Sequence, residues 1–207
     1  MAIDTPSAPT GPDLRERTRR AVRTELTDVA MDLFLRQGFE ATTVDEIARA
    51  AGISRRSLFR YFASKEAIIF DNLQDVGDQL AEALARRPRA EDPWTALRHT
   101  FELVIAFNAE DPERTLGFYA MLEETASLKA RYYEQLMRWQ ELLVPDICVR
   151  LGRPEDEYVL SPHAAAVVGS ALACLYAANT AWRNSQGKAD VVELLDEAMR
   201  AVRPTDF

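Results

Sequence analysis

Between positions 54 and 60 the chain reads Ser-Arg-Arg-Ser-Leu-Phe-Arg, which places three arginines within six residues. A guanidinium is a planar, permanently charged fork. It can donate two parallel hydrogen bonds, either to a pair of phosphate oxygens or to O6 and N7 of guanine. Thr43 and Ser54 stand where short helices would begin, so the unpaired amides and partial positive charge of a helix start are available to a phosphate at each. Ser57 adds a hydroxyl, and Arg15 to Arg23 can supply further contacts to a phosphate backbone. This is chemistry for holding a polyanion rather than for making bonds.

Patterns for other chemistry are missing. His99 and His163 have neither HExxH nor Glu-x-x-His spacing, and Cys148 and Cys174 are far apart with no CxxC. All eight glycines are isolated, which excludes a P-loop and GxGxxG, and there is no GxSxG. The expectation is a non-enzyme without metal or cofactor. Two lone cysteines suit a reducing cytoplasm. The opening MAIDTPSAPTGPD has no basic start followed by an apolar run, so residues 1–14 read as a disordered lead-in rather than a secretion signal.

The elements that must position the arginines are helices. Val22, Leu26, Val29 and Leu33 fall on one stripe widened by Ala30 and Phe34, and Gly38 is placed to end that helix. Thr43-Val44-Asp45-Glu46 has capping-box spacing and starts a second helix bearing Val44, Ile47, Ala48 and Ala51. Gly52 cuts it off, and Ser54 caps a third helix running to about Tyr61. Ala48 is small where the two short helices cross, and Ile47, Ile53 and Leu58 hold the crossing. The result is a helix-turn-helix with Arg55, Arg56, Ser57, Phe59 and Arg60 at outward or amino-terminal positions, able to enter a major groove about 12 Å wide. Arg55 and Arg56 point about 100° apart, so one can read a base while the other grips phosphate. Of the aromatic pair Tyr61 and Phe62, Phe62 is the better core residue.

These residues carry a resemblance. The segment from about Thr18 to Phe70 is similar to the DNA-binding domain of the TetR family of transcriptional regulators: a first helix ending in Gly38-Phe39, the Thr42-Thr43-Val44 entry, the Ile47-Ala48 and Ala51-Gly52 pairs, and Tyr61-Phe62 followed by Ser64-Lys65-Glu66. Arg56, Phe59 and Ala63 depart from the glycine, tyrosine and proline frequent there. The resemblance implies Thr42, Tyr61 and Lys65 as additional DNA contacts. It also implies an all-helical homodimer, acting as a ligand-released repressor on a double-stranded DNA operator, whose variable carboxy-terminal domain binds a small-molecule effector.

The 207 residues are 47% hydrophobic and 28% charged, which excludes disorder and collagen and suits one compact domain or two small ones. The charge is divided unevenly. Residues 1–70 hold eleven basic and ten acidic side chains, leaving fourteen basic and twenty-three acidic for the rest and accounting for the net charge of -8. Expected boundaries are a DNA-binding domain over 15–63 and a ligand-binding and dimerisation domain over 64–207, with about nine helices in all.

In the second domain, Ser64 caps a helix with Ile69, Leu73, Val76, Leu80 and Leu84 on its stripe. Another helix carries Trp94, Leu97, Phe101, Val104 and Asn108, and one with Leu128 to Leu143 should kink or end at Pro145. Trp94, Phe101, Phe107, Asn108 and Phe118, with Tyr119, Glu123, Tyr132 and Trp139, form the aromatic and sparsely polar mixture of a ligand cavity; a plain hydrophobic core is the alternative. The segment Ala164 to Trp182 approaches the length of a membrane span, but its alanines, Gly169, Ser170, Asn179 and Thr180 read as a packed helix, with no membrane partner. Ala166, Gly169, Ala173, Tyr176 and Ala177 on it, with Leu194, Leu195 and Ala198 on the last helix, are candidates for a four-helix dimer interface; the alternative is packing within one subunit. A two-fold dimer would demand an inverted-repeat operator. A dimeric helical adaptor without DNA binding, or a helical-bundle enzyme, is the rival function.

Overall fold

The computed structural model describes residues 14–152 and 161–202, so most of the expected lead-in lies outside the described residues. Helix α1 (Leu14–Gln37) is followed by α2 (Val44–Ala50), α3 (Arg55–Leu58), α4 (Lys65–Ile69) and α5 (Asp71–Arg86). Then come α6 (Pro93–Thr100), α7 (Glu102–Glu110), α8 (Pro112–Glu124), α9 (Ala126–Arg150), α10 (Pro162–Asn184) and α11 (Val191–Val202). No strand occurs among the described residues.

Local chemistry explains the helix starts. At α2 the capping box is complete: Glu46 N donates to Thr43 Oγ1 at 3.2 Å and Thr43 N donates back to Glu46 Oε2 at 2.8 Å. Ser54 and Ser64 cap α3 and α4 through the amides of Ser57 and Ala67. Asp92-Pro93, Asp111-Pro112 and Ser161-Pro162 use one device, a side-chain acceptor followed by a residue whose missing N–H is no loss in a first turn. Gly38 and Gly52 take φ of +89° and +67°, the left-handed region that ends α1 and turns α2 into α3.

Among the described residues eleven helices form where nine were expected, because two expected helices are each divided. Phe70 interrupts the fourth: its ring is buried and meets Phe118 of α8 edge-on at 6.2 Å, while Asp71 beside it is paired with Arg23 of α1. Phe101, fully buried, separates α6 from α7 in the same way. The reading helix is also shorter than expected, ending at Leu58 and continuing as tight turns through Phe62. Pro145, in contrast, does not stop α9. The missing donor costs about 3 kcal/mol, but the turn beyond it is anchored by buried Ile147 and Cys148 and by Arg150. The Arg150 side chain donates to the carbonyls of Leu84, at 2.8 Å, and Pro88, at 2.7 Å, and so caps the end of α5.

Leu26, Ala30 and Phe34 of α1 close over Ile47 and Ala48 of α2, Leu58 of α3 and Phe62, and this core runs on into the body through Ile68, Ile69 and Phe70. Each of the leucine, isoleucine and phenylalanine side chains stabilises the fold by about 1.5–3 kcal/mol. In the body α5 lies against α9 so closely that a Cβ on Gly77 would come within 2.7 Å of the Trp139 ring. Helix α10 is long and apolar enough to cross a membrane by length and composition, but half of its most apolar window is buried within the protein. It packs on α9 and α11.

Candidate nucleic-acid interface and cavity

The α2–α3 corner closes by an Ile53 N to Ala48 O hydrogen bond of 2.9 Å, with Ile47, Ala48, Leu58 and Phe62 buried behind it. This leaves the arginine edge of α3 in solvent. The two adjacent arginines differ. Arg55 Nη1 is 3.0 Å from Asp45 Oδ2 of α2, and its guanidinium lies 5.6 Å from the Phe59 ring centroid. Arg56 and Arg60 are exposed and have no ion pair among the described residues. Their charge is therefore available to an outside partner.

Around them, Thr43 and Ser54 are exposed caps, Ser57 is half-buried with its hydroxyl 2.9 Å from that of Ser54, and Phe59 is exposed. Tyr61 and Arg60 border a groove of about 530 Å³ whose other wall is α1, with Arg15, Thr18 and Arg19. A strand of phosphates running along this groove would meet cations from both helices. Phe62 is core, as its spacing suggested.

One expected contact, Thr42, is corrected, and another, Lys65, is already engaged within the chain. Thr42 is 1% exposed; its hydroxyl donates to Gly38 O at 2.7 Å and accepts from Gln37, so it closes the α1–α2 loop and faces no solvent. Lys65 Nζ donates to Phe39 O at 2.8 Å and Thr42 O at 3.1 Å and lies 4.1 Å from the Phe39 ring centroid. Its ammonium is a fastener between α4 and that loop. Arg23 is similarly engaged, with Asp71 and the Phe62 ring.

A cavity of about 330 Å³ opens where α1 meets α5, α7, α8 and α9. Phe107, Asn108, Phe118, Tyr119, Tyr132 and Trp139, all named as candidates from the sequence, line it. The rings of Tyr119 and Tyr132 stand edge-to-face at 6.2 Å, and Asn108 Nδ2 donates to Asn179 Oδ1 at 3.1 Å. Burial pushes the hydroxyls of both tyrosines above the ordinary tyrosine range, Tyr132 well above it, so both stay neutral.

Three expected lining residues lie elsewhere. Trp94 is buried and donates to Met199 O at 3.2 Å, tying α6 to α11. Phe101 is sealed at the α6–α7 junction. Glu123 faces solvent, 3.0 Å from both Lys129 and Arg183, and these hydrogen bonds hold its carboxyl below the usual glutamate range. In their place the structure brings in residues that sequence reasoning missed: Thr24, Thr27, Asp28 and Met31 of α1, and Arg114 of α8. The i, i+4 pair Asp28 and Asp32 was a visible signal, a two-carboxylate face awaiting a cation.

At the far end, Ala166, Ala173 and Ala177 form an exposed small-residue edge of α10, with Gly169 and Tyr176 half-exposed beside it. Leu195 is corrected: it is fully buried against its own chain and has no surface to offer. Leu194 and Ala198 are half-buried against the same core.

A helix-turn-helix head with an arginine-bearing edge, joined to a helical body, defines a class of DNA-binding regulators. Comparison with known proteins agrees: residues 26–71 match the family described as bacterial regulatory proteins, tetR family, and residues 91–205 match the MftR C-terminal domain. The transcriptional regulator TcmR of Streptomyces glaucescens is 33% identical over 163 residues, covering 74% of this chain and 72% of its own. MftR of Mycobacterium tuberculosis is 32% identical, covering 75% of this chain and 79% of its own. Among solved structures, Thermus thermophilus FadR, a TetR-family transcriptional repressor in complex with lauroyl-CoA, has the same fold, with TM-score 0.60 and 24% identity over 86% of this chain and 91% of its own. The chain belongs to the TetR family and is a DNA-binding transcriptional regulator.

Proposed function

We propose that this regulator is a repressor that grips an inverted-repeat operator as a homodimer in the cytoplasm and is released by a small molecule bound in the α1–α5–α7–α8–α9 cavity. The observation that carries the reading is the pair of exposed guanidinia, Arg56 on α3 and Arg60 in the turn just beyond it, which have no ion pair among the described residues. Arg56 reads a base or grips phosphate beside it, and Arg60, Tyr61 and the α1 arginines follow the backbone. Thr43 and Ser54 offer phosphate contacts at the two helix starts.

The exposed small-residue edge of α10, with Tyr176 and the half-buried Leu194 and Ala198 of α11 near it, supports dimerisation, because small side chains let a partner helix approach closely. Two reading helices would then face successive major grooves about 34 Å apart. The break at Phe70 supports the release step, since it lies between α4 and α5, just after the head, and is packed against cavity-lining Phe118. A ligand that prefers the wrong head separation a hundredfold shifts the balance by about 2.7 kcal/mol; one with no preference shifts nothing.

The test is a gel shift of DNA from the protein's own upstream region. Arg56→Ala should weaken binding by about 1–3 kcal/mol. If the wild-type chain shows no salt-sensitive shift on any upstream fragment, the adaptor reading replaces this one.

A further inference from the structure

The cavity reaches into the DNA-binding head itself. Thr27, midway along α1, is 2% exposed and lines the cavity, yet its Oγ1 has no hydrogen-bond partner among the described residues. The other threonines of α1 bond back to a carbonyl one turn earlier, Thr18 to Leu14 O and Thr24 to Arg20 O. A buried hydroxyl left without a partner is costly in an apolar interior and signals a group waiting for one.

The mouth constrains what can enter. Its charged side chains are Asp28, Glu110, Asp111 and Arg114. Arg114 is already engaged, 2.9 Å from Asp28 Oδ1 and 2.9 Å from Asp32 Oδ1, with Asp28 O at 3.4 Å. An anionic head group would therefore stand among three carboxylates and compete for a cation that two aspartates hold. Deeper in, the walls are rings and aliphatic side chains with neutral Asn108, Tyr119 and Tyr132.

We propose that the cavity binds a neutral, largely apolar molecule carrying a carbonyl or hydroxyl oxygen, and that this oxygen hydrogen-bonds Thr27, so that the effector touches α1 of the reading head directly. Acyl-CoA thioesters, with their phosphates, are excluded even though a protein of the same fold is solved with lauroyl-CoA. The assignment deepens the ligand-released reading and rests on it. It also makes α1 a second route, besides the α4–α5 break, by which the body acts on the head.

The experiment titrates the full chain, without DNA, by calorimetry with four compounds: acetylnaphthalene, isopropenylnaphthalene and naphthoate of the same ring position, and lauroyl-CoA. The ketone should bind about threefold to tenfold more tightly than the isosteric hydrocarbon, and naphthoate and lauroyl-CoA more weakly than the ketone. Thr27→Val should erase the preference for ketone over hydrocarbon while leaving hydrocarbon affinity unchanged, and Thr27→Ser, which keeps the hydroxyl, should retain it. An unchanged preference in Thr27→Val, tighter binding of either anion, or no binding of the ketone overturns the proposal. A gel shift of the ligand-free protein, run separately, tests the DNA-binding reading and is independent of these outcomes.

Discussion

Adjacent residues in this chain have opposite work. Arg55 is tied to Asp45, and Arg56 beside it has no ion pair among the described residues, because the 100° step of a helix turns one guanidinium back toward α2 and the other outward. Asp45→Ala should release Arg55 and raise non-specific DNA affinity, with at most about 1 kcal/mol of stability lost, since an exposed ion pair contributes little; fluorescence anisotropy on random duplex checks it. Lys65 belongs to structure instead. Lys65→Met keeps the apolar stem but leaves the Phe39 and Thr42 carbonyls without their donor, and should lower unfolding free energy in urea by about 1–3 kcal/mol. The salt dependence of DNA binding should stay as in wild type, which a phosphate contact would not allow. From the sequence, Lys65 and a DNA-facing lysine look alike: charge and position after a cap are the same for both, and the two carbonyls that capture it lie 26 and 23 residues away.

Element starts were readable because they are local. Thr43 and Glu46, Ser54 and Ser64 each act within one turn, and Gly52 acts through its own φ. Thr43→Ala should cost about 1 kcal/mol by removing the α2 cap, measurable as a lower urea midpoint. Helix breaks were not readable in the same way. Phe70 and Phe101 fit the apolar period on both sides, and what interrupts the helices is packing against elements far along the chain. Of the two outcomes expected at Pro145, an end to the helix does not occur, since Arg150 anchors the turn beyond it to carbonyls more than 60 residues earlier. Gly77 shows the same dependence on distant packing: Gly77→Ala improves helix propensity by about 1 kcal/mol but drives a Cβ into Trp139 at a cost of about 1–3 kcal/mol. A lower melting temperature is expected.

At the scale of the molecule, head and body share one core and are cross-braced by ion pairs, with Arg114 reaching 82 and 86 residues back to Asp32 and Asp28. That distance explains why the aromatic half of the cavity was legible and its α1 wall was not. Composition shows that rings are present, whereas only the fold decides that Thr27 faces them. Acid should loosen the body. Hydrogen bonding to Arg87 holds the Glu91 carboxyl below its ordinary value of 4.5, and hydrogen bonding to Arg98 holds Asp196 below 3.8. For groups lowered on folding, the stabilisation is complete above the unfolded values and is lost as pH falls through the folded ones. Thermal melts should therefore be level from neutrality to about pH 5 and decline below it.

The central claim is that the unpaired edge of α3 and the α1 groove grasp duplex DNA in a symmetric pair. It is tested most directly by measuring affinity for an upstream inverted repeat across a range of salt concentrations, for the wild type and for Arg56→Ala with Arg60→Ala. The account predicts a steep linear fall of log affinity with log salt, two chains per duplex, and a shallower slope in the double variant. A slope near zero, or one identical in the two proteins, would contradict it.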